Sequence, residues 1–298
     1  REGFPYRPTM FVGLGGTGVA AVSKIKSLFA RLLFPRLSRD LKGVDSDQID
    51  KLYQFVAFDT DDANAPQNLP QGRDWYHIGV ADLPAFYKGV GKKPEYADWV
   101  VPHYSQTSLT AGANGRRNLG RLAFIYNADN IVKPLRGKLA TMAEHASKVH
   151  TVSTHPRVFV VCSLSGGTGS GGLLDLCFIL REELRRMQGA QILGFIAVLD
   201  GLPEMPSHTR ERCLVNTYAG LKELDAFMYG RDRARGVEFG STLQYPGNVR
   251  GQVIEPIDQC FLLGPVRADG ARNLPTQDHV TSFIARYAFM ITGHGFLP

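Results

Sequence analysis

The sequence is poor in the features that would place it in several common classes. Its 298 residues include four cysteines, Cys162, Cys177, Cys213 and Cys260, all far apart. No two have the short spacing of a structural metal site, and there are too few for a disulfide scaffold. Cys162 and Cys260 lie in apolar runs and read as small core side chains, so a reduced, cytoplasmic protein is expected. No apolar run reaches the ~18 residues a membrane helix needs, so no membrane insertion is expected. The start, Arg1 to Pro8, lacks the charged-then-apolar order of a signal peptide. It also lacks an initiator Met, which suggests a trimmed or processed chain. Neither an internal repeat nor a low-complexity segment stands out.

Excess charge is also scarce: the net value is +6, with 44% hydrophobic and 21% charged residues. Those proportions exclude a disordered chain and fit one large α/β domain or two small ones. Basic residues gather at Arg116, Arg117 and Arg121, at Arg181, Arg185 and Arg186, and at Arg231, Arg233 and Arg235. No aromatic stripe or DNA-reading motif accompanies them, so they read as solvated surface and not as a nucleic-acid site.

Glycine, by contrast, is abundant, with 32 residues. Nine of these fall in two short stretches, Gly13 to Gly18 and Ser165 to Gly172. The first follows the apolar run Pro8-Thr9-Met10-Phe11-Val12 and precedes Val19, Val22, Ile25, Leu28, Phe29 and Leu32, which recur at helical spacing until Pro35. The second follows the buried-strand pattern Arg157-Val158-Phe159-Val160-Val161-Cys162 and precedes a helical stripe from Leu173 to Met187. Each reads as strand, glycine loop, helix.

Between them, residues 36–51 look polar and irregular. Tyr53 to Phe58 reads as a strand ending at Asp59, and residues 63–110 form an insertion of turn formers with no clear period. Residues 114–149 read as two helices broken near Pro134. Further strands are expected over Ile192 to Leu199 and Cys260 to Leu263, with helices over 209–229 and from Thr276. Residues 230–255 read as a second insertion rich in Gly and Arg. Alternating strands and helices imply an α/β fold: a mainly parallel sheet with helices on both faces, Rossmann-like, with ligands at the carboxyl ends of the strands. Both glycine loops lie at such ends.

A helix start carries unpaired N–H groups and the positive end of the helix dipole, and glycine lets a phosphate approach the backbone. Gly13, Gly15 and Gly18 fit G-x-G-x-x-G in the required context, which supports a dinucleotide site with Asp59 holding a ribose. Asp59 lies about 40 residues on, against the usual ~20. A dinucleotide half needs only one such loop. Two loops could grip several phosphates of one nucleotide. Neither is followed by the lysine of a Walker A motif, so charge must be met by backbone dipoles, a metal ion or an arginine. Ser165 and Ser170 could suggest a nucleophile, but no motif places His and Asp partners beside them. Asp59 and Asp61 could equally cap a turn.

Ser165-Gly166-Gly167-Thr168-Gly169-Ser170-Gly171 resembles the tubulin/FtsZ signature loop at every position. Gly13 to Gly18 resembles the family's first glycine loop, and Phe55 to Asp61 its second strand and Asn-Thr-Asp loop. Ala111-Gly112-Ala113-Asn114 followed by Gly120-Arg121 resembles the segment facing the γ-phosphate in FtsZ, and the helix from Thr276 the long central helix. Divergent bacterial tubulin-like proteins share the Gly-Leu-Gly-Gly-Thr-Gly start. The resemblance covers residues 1–298 as a nucleotide-binding domain, with the family's C-terminal activation domain apparently absent.

The resemblance implies a site for GTP or GDP with Mg²⁺. Gly15, Gly16, Thr17 and Gly18, with Gly166, Gly167, Thr168, Gly169 and Ser170, would cradle the α- and β-phosphates, and Ser165 and Gly171 frame the second loop. Asp61 would sit near the metal, through water. Gly112, Ala113 and Asn114 would sense the γ-phosphate, and Glu204 and Arg210 would lie near the ribose. It implies head-to-tail self-association into filaments, downstream domains or partner proteins, and GTPase activity if an acidic loop follows residue 298 or comes from a partner.

Two departures stand out. Ala20 replaces the family's base-reading Asn, and Gln277 and Thr281 stand where an aromatic and an Asn or Asp contact guanine, with Asp278 and His279 nearby. His279 and His294 read as surface or packing residues. No Asn-x-Asp-x-x-Asp pattern follows the central helix. An NAD-dependent oxidoreductase and a non-hydrolysing nucleotide-binding scaffold module of a longer protein remain alternatives.

Overall fold

A computed structural model describes residues 6–41, 46–90, 108–149, 152–199, 202, 207–228, 255–265 and 274–292. Most of the 230–255 insertion, and His294, lie outside them. Among the described residues, one sheet of six parallel strands organises the fold: β1 (Thr9–Leu14), β2 (Tyr53–Asp59), β3 (Trp75–His77), β4 (Arg157–Ser163), β5 (Gln191–Ala197) and β6 (Gln259–Leu263). Their spatial order is β3-β2-β1-β4-β5-β6. β1 and β4 lie side by side, and the chain runs outward from them in both directions. That adjacency is the topological switch point of a doubly wound sheet, where a crevice opens at the strand carboxyl ends.

The strands read as continuous apolar runs because both faces are covered. On one face Phe11, Phe55, Phe159 and Phe195 form a ladder of stacked rings, with Phe11 and Phe159 centroids 5.0 Å apart and Phe159 and Phe195 5.2 Å apart. α1 (Gly15–Leu28) and α9 (Gln277–Thr292) cover this face through Val22, Ile25, Ile284 and Ala288. The other face, with Met10, Val12, Val158 and Val160, is covered by α6 (Ala128–Ala146) and α7 (Gly167–Leu184). α5 (Arg117–Tyr126) crosses α7, and α8 (Ser207–Met228) lies beside it.

Several expected boundaries shift for identifiable reasons. Pro35 does not end the first helix. A π-helical turn over Phe29–Leu33 leads into α2 (Phe34–Asp40), and Pro35 falls in that helix's first turn, where its missing N–H costs little. Residues 36–51 are accordingly not irregular, since α3 (Ser46–Leu52) also occupies them. The break between α5 and α6 falls at Asn127, not Pro134. The Asn127 amide donates to the carbonyls of Ile78, Gly79 and Ala123, while Pro134 lies inside α6. The segment expected to lack periodicity holds β3 and α4 (Leu83–Val90); residues 91–107 lie outside the described set. β3 is three residues long, too short to show alternation.

The basic clusters belong largely to the scaffold. Arg121 pairs with buried Asp175 at 3.1 Å, Arg181 with Asp258 at 2.9 Å, and Arg117 with Glu223. Arg231, Arg233 and Arg235 lie outside the described residues.

Candidate functional site

The two glycine segments are first turns of helices more than loops. α1 starts at Gly15, immediately after β1, and α7 starts at Gly167, capped by Gly166 in extended conformation. Because β1 and β4 are neighbours, the two helix N-termini meet. A Cβ on Gly15, whose φ is +71°, would lie 3.0 Å from the Gly169 nitrogen. Two positive dipole ends and their unpaired N–H groups thus converge on one crevice, which suits an anion.

The glycines divide into two kinds. A Cβ on Gly18 would lie 2.3 Å from the Val161 carbonyl oxygen, and one on Gly171 2.2 Å from that of Arg117. A Cβ on Gly120 would lie 2.3 Å from the Gly167 carbonyl oxygen. A Cβ on Gly13 would lie 2.5 Å from the Gly18 carbonyl oxygen, and one on Gly169 2.7 Å from that of Ser163. These positions let α1 pack on β4 and α5 cross α7 at backbone contact. Gly166 differs: a Cβ there would meet nothing within 4 Å. Gly16 faces the Asn64 amide and the Asp59 carboxylate across the crevice.

A third segment closes the crevice. Asp61 bridges to Ala111, and the Gly112 N–H donates to the Thr60 carbonyl at 3.1 Å. Gly112 has φ +87° and Asn114 φ +50°, a conformation few non-glycine residues adopt. Ala113 is buried and packs where a Gly167 side chain would be. Thr60 and Thr168 share a buried hydrogen bond of 2.7 Å, joining the β2 end to α7. Gly13 to Gly18, Asp59, Asp61, Gly112 to Asn114 and Ser165 to Gly171 therefore surround one place. Arg210 is exposed on α8 and donates to the Leu202 carbonyl at 3.4 Å, while Glu204 lies outside the described residues.

The polar side chains carry distinct duties. The Ser165 hydroxyl accepts from the Leu199 N–H at 2.7 Å and bonds Thr217, and that of Ser170 accepts from Arg117 Nε at 2.8 Å. Both are spent on the scaffold. Thr17 accepts from Gln277 Nε2 at 3.1 Å, and Thr281 is buried and accepts from Lys24 Nζ at 3.0 Å, so Thr281 offers no exposed side chain to a base.

Asp59 is 2% exposed. Its carboxylate accepts from the Thr60 N–H at 2.7 Å and from Asn64 Nδ2 at 2.8 Å. Asp61 Oδ1 accepts from the Ala63 N–H at 3.1 Å and caps a short 3₁₀ turn, with Gly112 lying toward its Oδ2. Burial raises the Asp59 carboxyl to about 6, against hydrogen bonds from Asn64, Thr60 and Asp61 that lower it. The folded value exceeds the unfolded ~3.9, so the folded state holds a proton that the unfolded state has lost between pH 4 and 6. The nucleotide-free protein should therefore gain stability as pH falls from 7 to 5, within a limit of roughly 3 kcal/mol. Urea unfolding of wild type and Asp59→Asn at both pH values checks this; the variant should show a flatter difference.

Sequence reasoning missed Asn216. Its buried amide on α8 donates to the Gly115 carbonyl at 2.7 Å and to that of Ser165 at 3.1 Å, tying the third segment to the second glycine turn. Arg212 adds a bond to the Asn114 carbonyl at 2.8 Å. A signal was present: Cys213, Asn216, Thr217, Gly220 and Leu224 recur on one helix face, so an inward Asn needs buried partners.

This arrangement can be compared with known proteins. A family model described as "Tubulin like" matches residues 10–294. The chain belongs to the tubulin-like family. Among solved structures, this tubulin-like chain is similar to CetZ2 from Haloferax volcanii, a GTPγS-bound protofilament, with TM-score 0.53 and 16% identity. That match covers 97% of this chain and 59% of CetZ2. CetZ from Methanosaeta thermophila gives TM-score 0.47 and 15% identity over 95% of this chain and 53% of that one. The tubulin-like chain thus spans little more than half the length of these structures. No curated protein matches it in sequence.

Membership supports the resemblance of the signature segment and the α/β fold class. Among the described residues, no three His, Cys, Asp or Glu side chains cluster to hold a metal ion, and no helix is long and apolar enough to cross a membrane.

Proposed function

We propose that this tubulin-like chain binds a guanine nucleoside triphosphate and self-associates head to tail. The convergence of the α1 and α7 N-termini at the β1/β4 switch point carries the reading. A polyphosphate is the ligand that two facing helix ends accommodate. In this reading Gly15 to Gly18 and Gly166 to Ser170 bind the inner phosphates through backbone N–H groups. Gly112, Ala113 and Asn114 meet the terminal one. The guanine base is taken from the family and from the GTPγS in CetZ2, not from Gln277 or Thr281.

Mg²⁺ fits the donor set. It commonly keeps several waters and takes one or two carboxylates plus phosphate oxygens. Asp61 can supply one carboxylate at the mouth of the crevice, where the metal would neutralise phosphate charge. Glu204 and Arg210 remain assigned to the ribose side, and Asp59 to the crevice wall. The whole chain is read as one nucleotide-binding domain. Turnover would require an acidic loop from following residues or from a partner. Heterologous head-to-tail contacts that do not close produce filaments.

The test is equilibrium binding of labelled GTP, ATP and NAD to the purified chain with Mg²⁺. Saturable GTP binding is expected, with sedimentable assemblies in GTPγS. Binding of neither triphosphate would overturn the proposal. NAD preference lost in Asp59→Ala would restore the oxidoreductase reading, which the buried, internally bonded Asp59 carboxylate disfavours.

A further inference from the structure

The outer face of α8 is unusual. Leu214, Val215 and Tyr218 are 56%, 65% and 67% exposed, the largest exposures among the big apolar side chains described. With Glu211 and Lys222, both also exposed, they stand at positions i, i+3, i+4, i+7 and i+11, a single stripe along the helix. Among the described residues, neither Glu211 nor Lys222 makes a hydrogen bond or ion pair. The opposite side is locked down: Asn216 holds Gly115 and Ser165, Thr217 bonds Ser165, and Glu223 pairs with Arg117. The stripe is therefore presented by a rigid, preorganised helix.

Its order of residues is self-complementary. A two-fold axis between Asn216 and Thr217 sets an antiparallel copy of the stripe so that Glu211 faces Lys222 and Val215 faces Tyr218, each twice. Leu214 lies at the edge of the stripe, beside the paired Val215 and Tyr218. A parallel copy would oppose like charges. We infer that the outer face of α8 is an isologous contact with a second copy of this chain, pairing antiparallel helices across a two-fold axis. An isologous patch must match itself under rotation, and this one does in charge, with the large Tyr218 set against the smaller Val215. The contact is separate from head-to-tail association, which is heterologous and uses the nucleotide crevice.

Three apolar side chains bury far less than the ~1,600 Å² of a standard interface, so a single pair associates weakly. In a filament, repeated contacts would act together and bind two strands of copies side by side.

The experiment is sedimentation equilibrium of the nucleotide-free chain at low salt, up to roughly 1 mM, with thermal melts confirming that each variant folds. Omitting nucleotide separates this contact from the crevice. Wild type should show concentration-dependent dimers that weaken with added salt. Glu211→Lys or Lys222→Glu alone replaces two attractive contacts by two repulsive ones and should raise the dissociation constant about tenfold. The double swap Glu211→Lys with Lys222→Glu should return it to within about threefold of wild type, since only an isologous pair restores both contacts. A wild type that stays monomeric, single reversals without effect, or a double swap no tighter than the singles would overturn the inference.

Discussion

Gly171→Ala should lower the melting temperature by roughly 5–10 °C. The added Cβ would lie 2.2 Å from the Arg117 carbonyl oxygen and 2.7 Å from the Arg121 nitrogen, both backbone atoms of α5. Backbone cannot swing aside as a side chain can, so α5 and α7 must separate. α5 carries Arg117, which reaches Ser170 and Glu223, and follows directly on the segment of Gly112 to Asn114. The variant should therefore also bind nucleotide more weakly at temperatures where it remains folded. Alanine favours helix over glycine by up to ~1 kcal/mol, so propensity alone would act in the opposite direction. Gly137→Ala isolates that term. It lies on the exposed side of α6, where a Cβ meets nothing within 4 Å, and should stabilise the protein. Thermal melts of both variants decide the matter: equal effects would mean that the close crossing of α5 and α7 is not what Gly171 is for.

Gly166→Asp should leave the fold intact and reduce triphosphate affinity about a hundredfold or more. Gly166 caps α7 with φ −85° and ψ 170°, which any residue adopts, and its missing side chain faces open space. Aspartate is moreover a favoured N-cap residue, so the melting temperature should hold or rise. A carboxylate placed there would stand where the proposed phosphates bind. Two like charges about 4 Å apart at a protein surface cost a few kcal/mol, well over tenfold in affinity. Isothermal titration with GTP in Mg²⁺, beside a thermal melt, reads both quantities. Unchanged affinity with unchanged stability would remove Gly166 from the phosphate site. Gly171→Ala thus weakens the ligand site through the fold, whereas Gly166→Asp weakens it with the fold intact, although only five positions separate them in one motif.

Much of this site was legible in the residues. Apolar runs before each glycine segment marked β1 and β4, and helical stripes after them marked α1 and α7, because strand and helix periods differ plainly in long, regular elements. Asp59, Asp61 and the Gly112 to Asn114 segment could be placed at the same site only through family resemblance, since nothing in their spacing brings them together. Short elements fared worse. β3 has three residues and owes its existence to pairing with Ala57, Phe58 and Asp59. The π-helical turn that carries the chain past Pro35 and the break at Asn127 depend on tertiary partners that no local pattern reveals.

By itself, then, the sequence determined the parallel α/β class, the two phosphate-suited helix starts and the tubulin-like signature, because these are written in contiguous residues. Only the tertiary structure decided how the glycines divide their work. A glycine reads the same in a string whether it admits a phosphate or another backbone. Gly18, Gly120 and Gly171 are fixed by carbonyl groups from β4, α7 and α5, while Gly166 alone among the signature glycines opens on unoccupied space. The same holds for α8, whose inward Asn216 and outward Leu214, Val215 and Tyr218 acquire their meaning from what lies on each side of the helix.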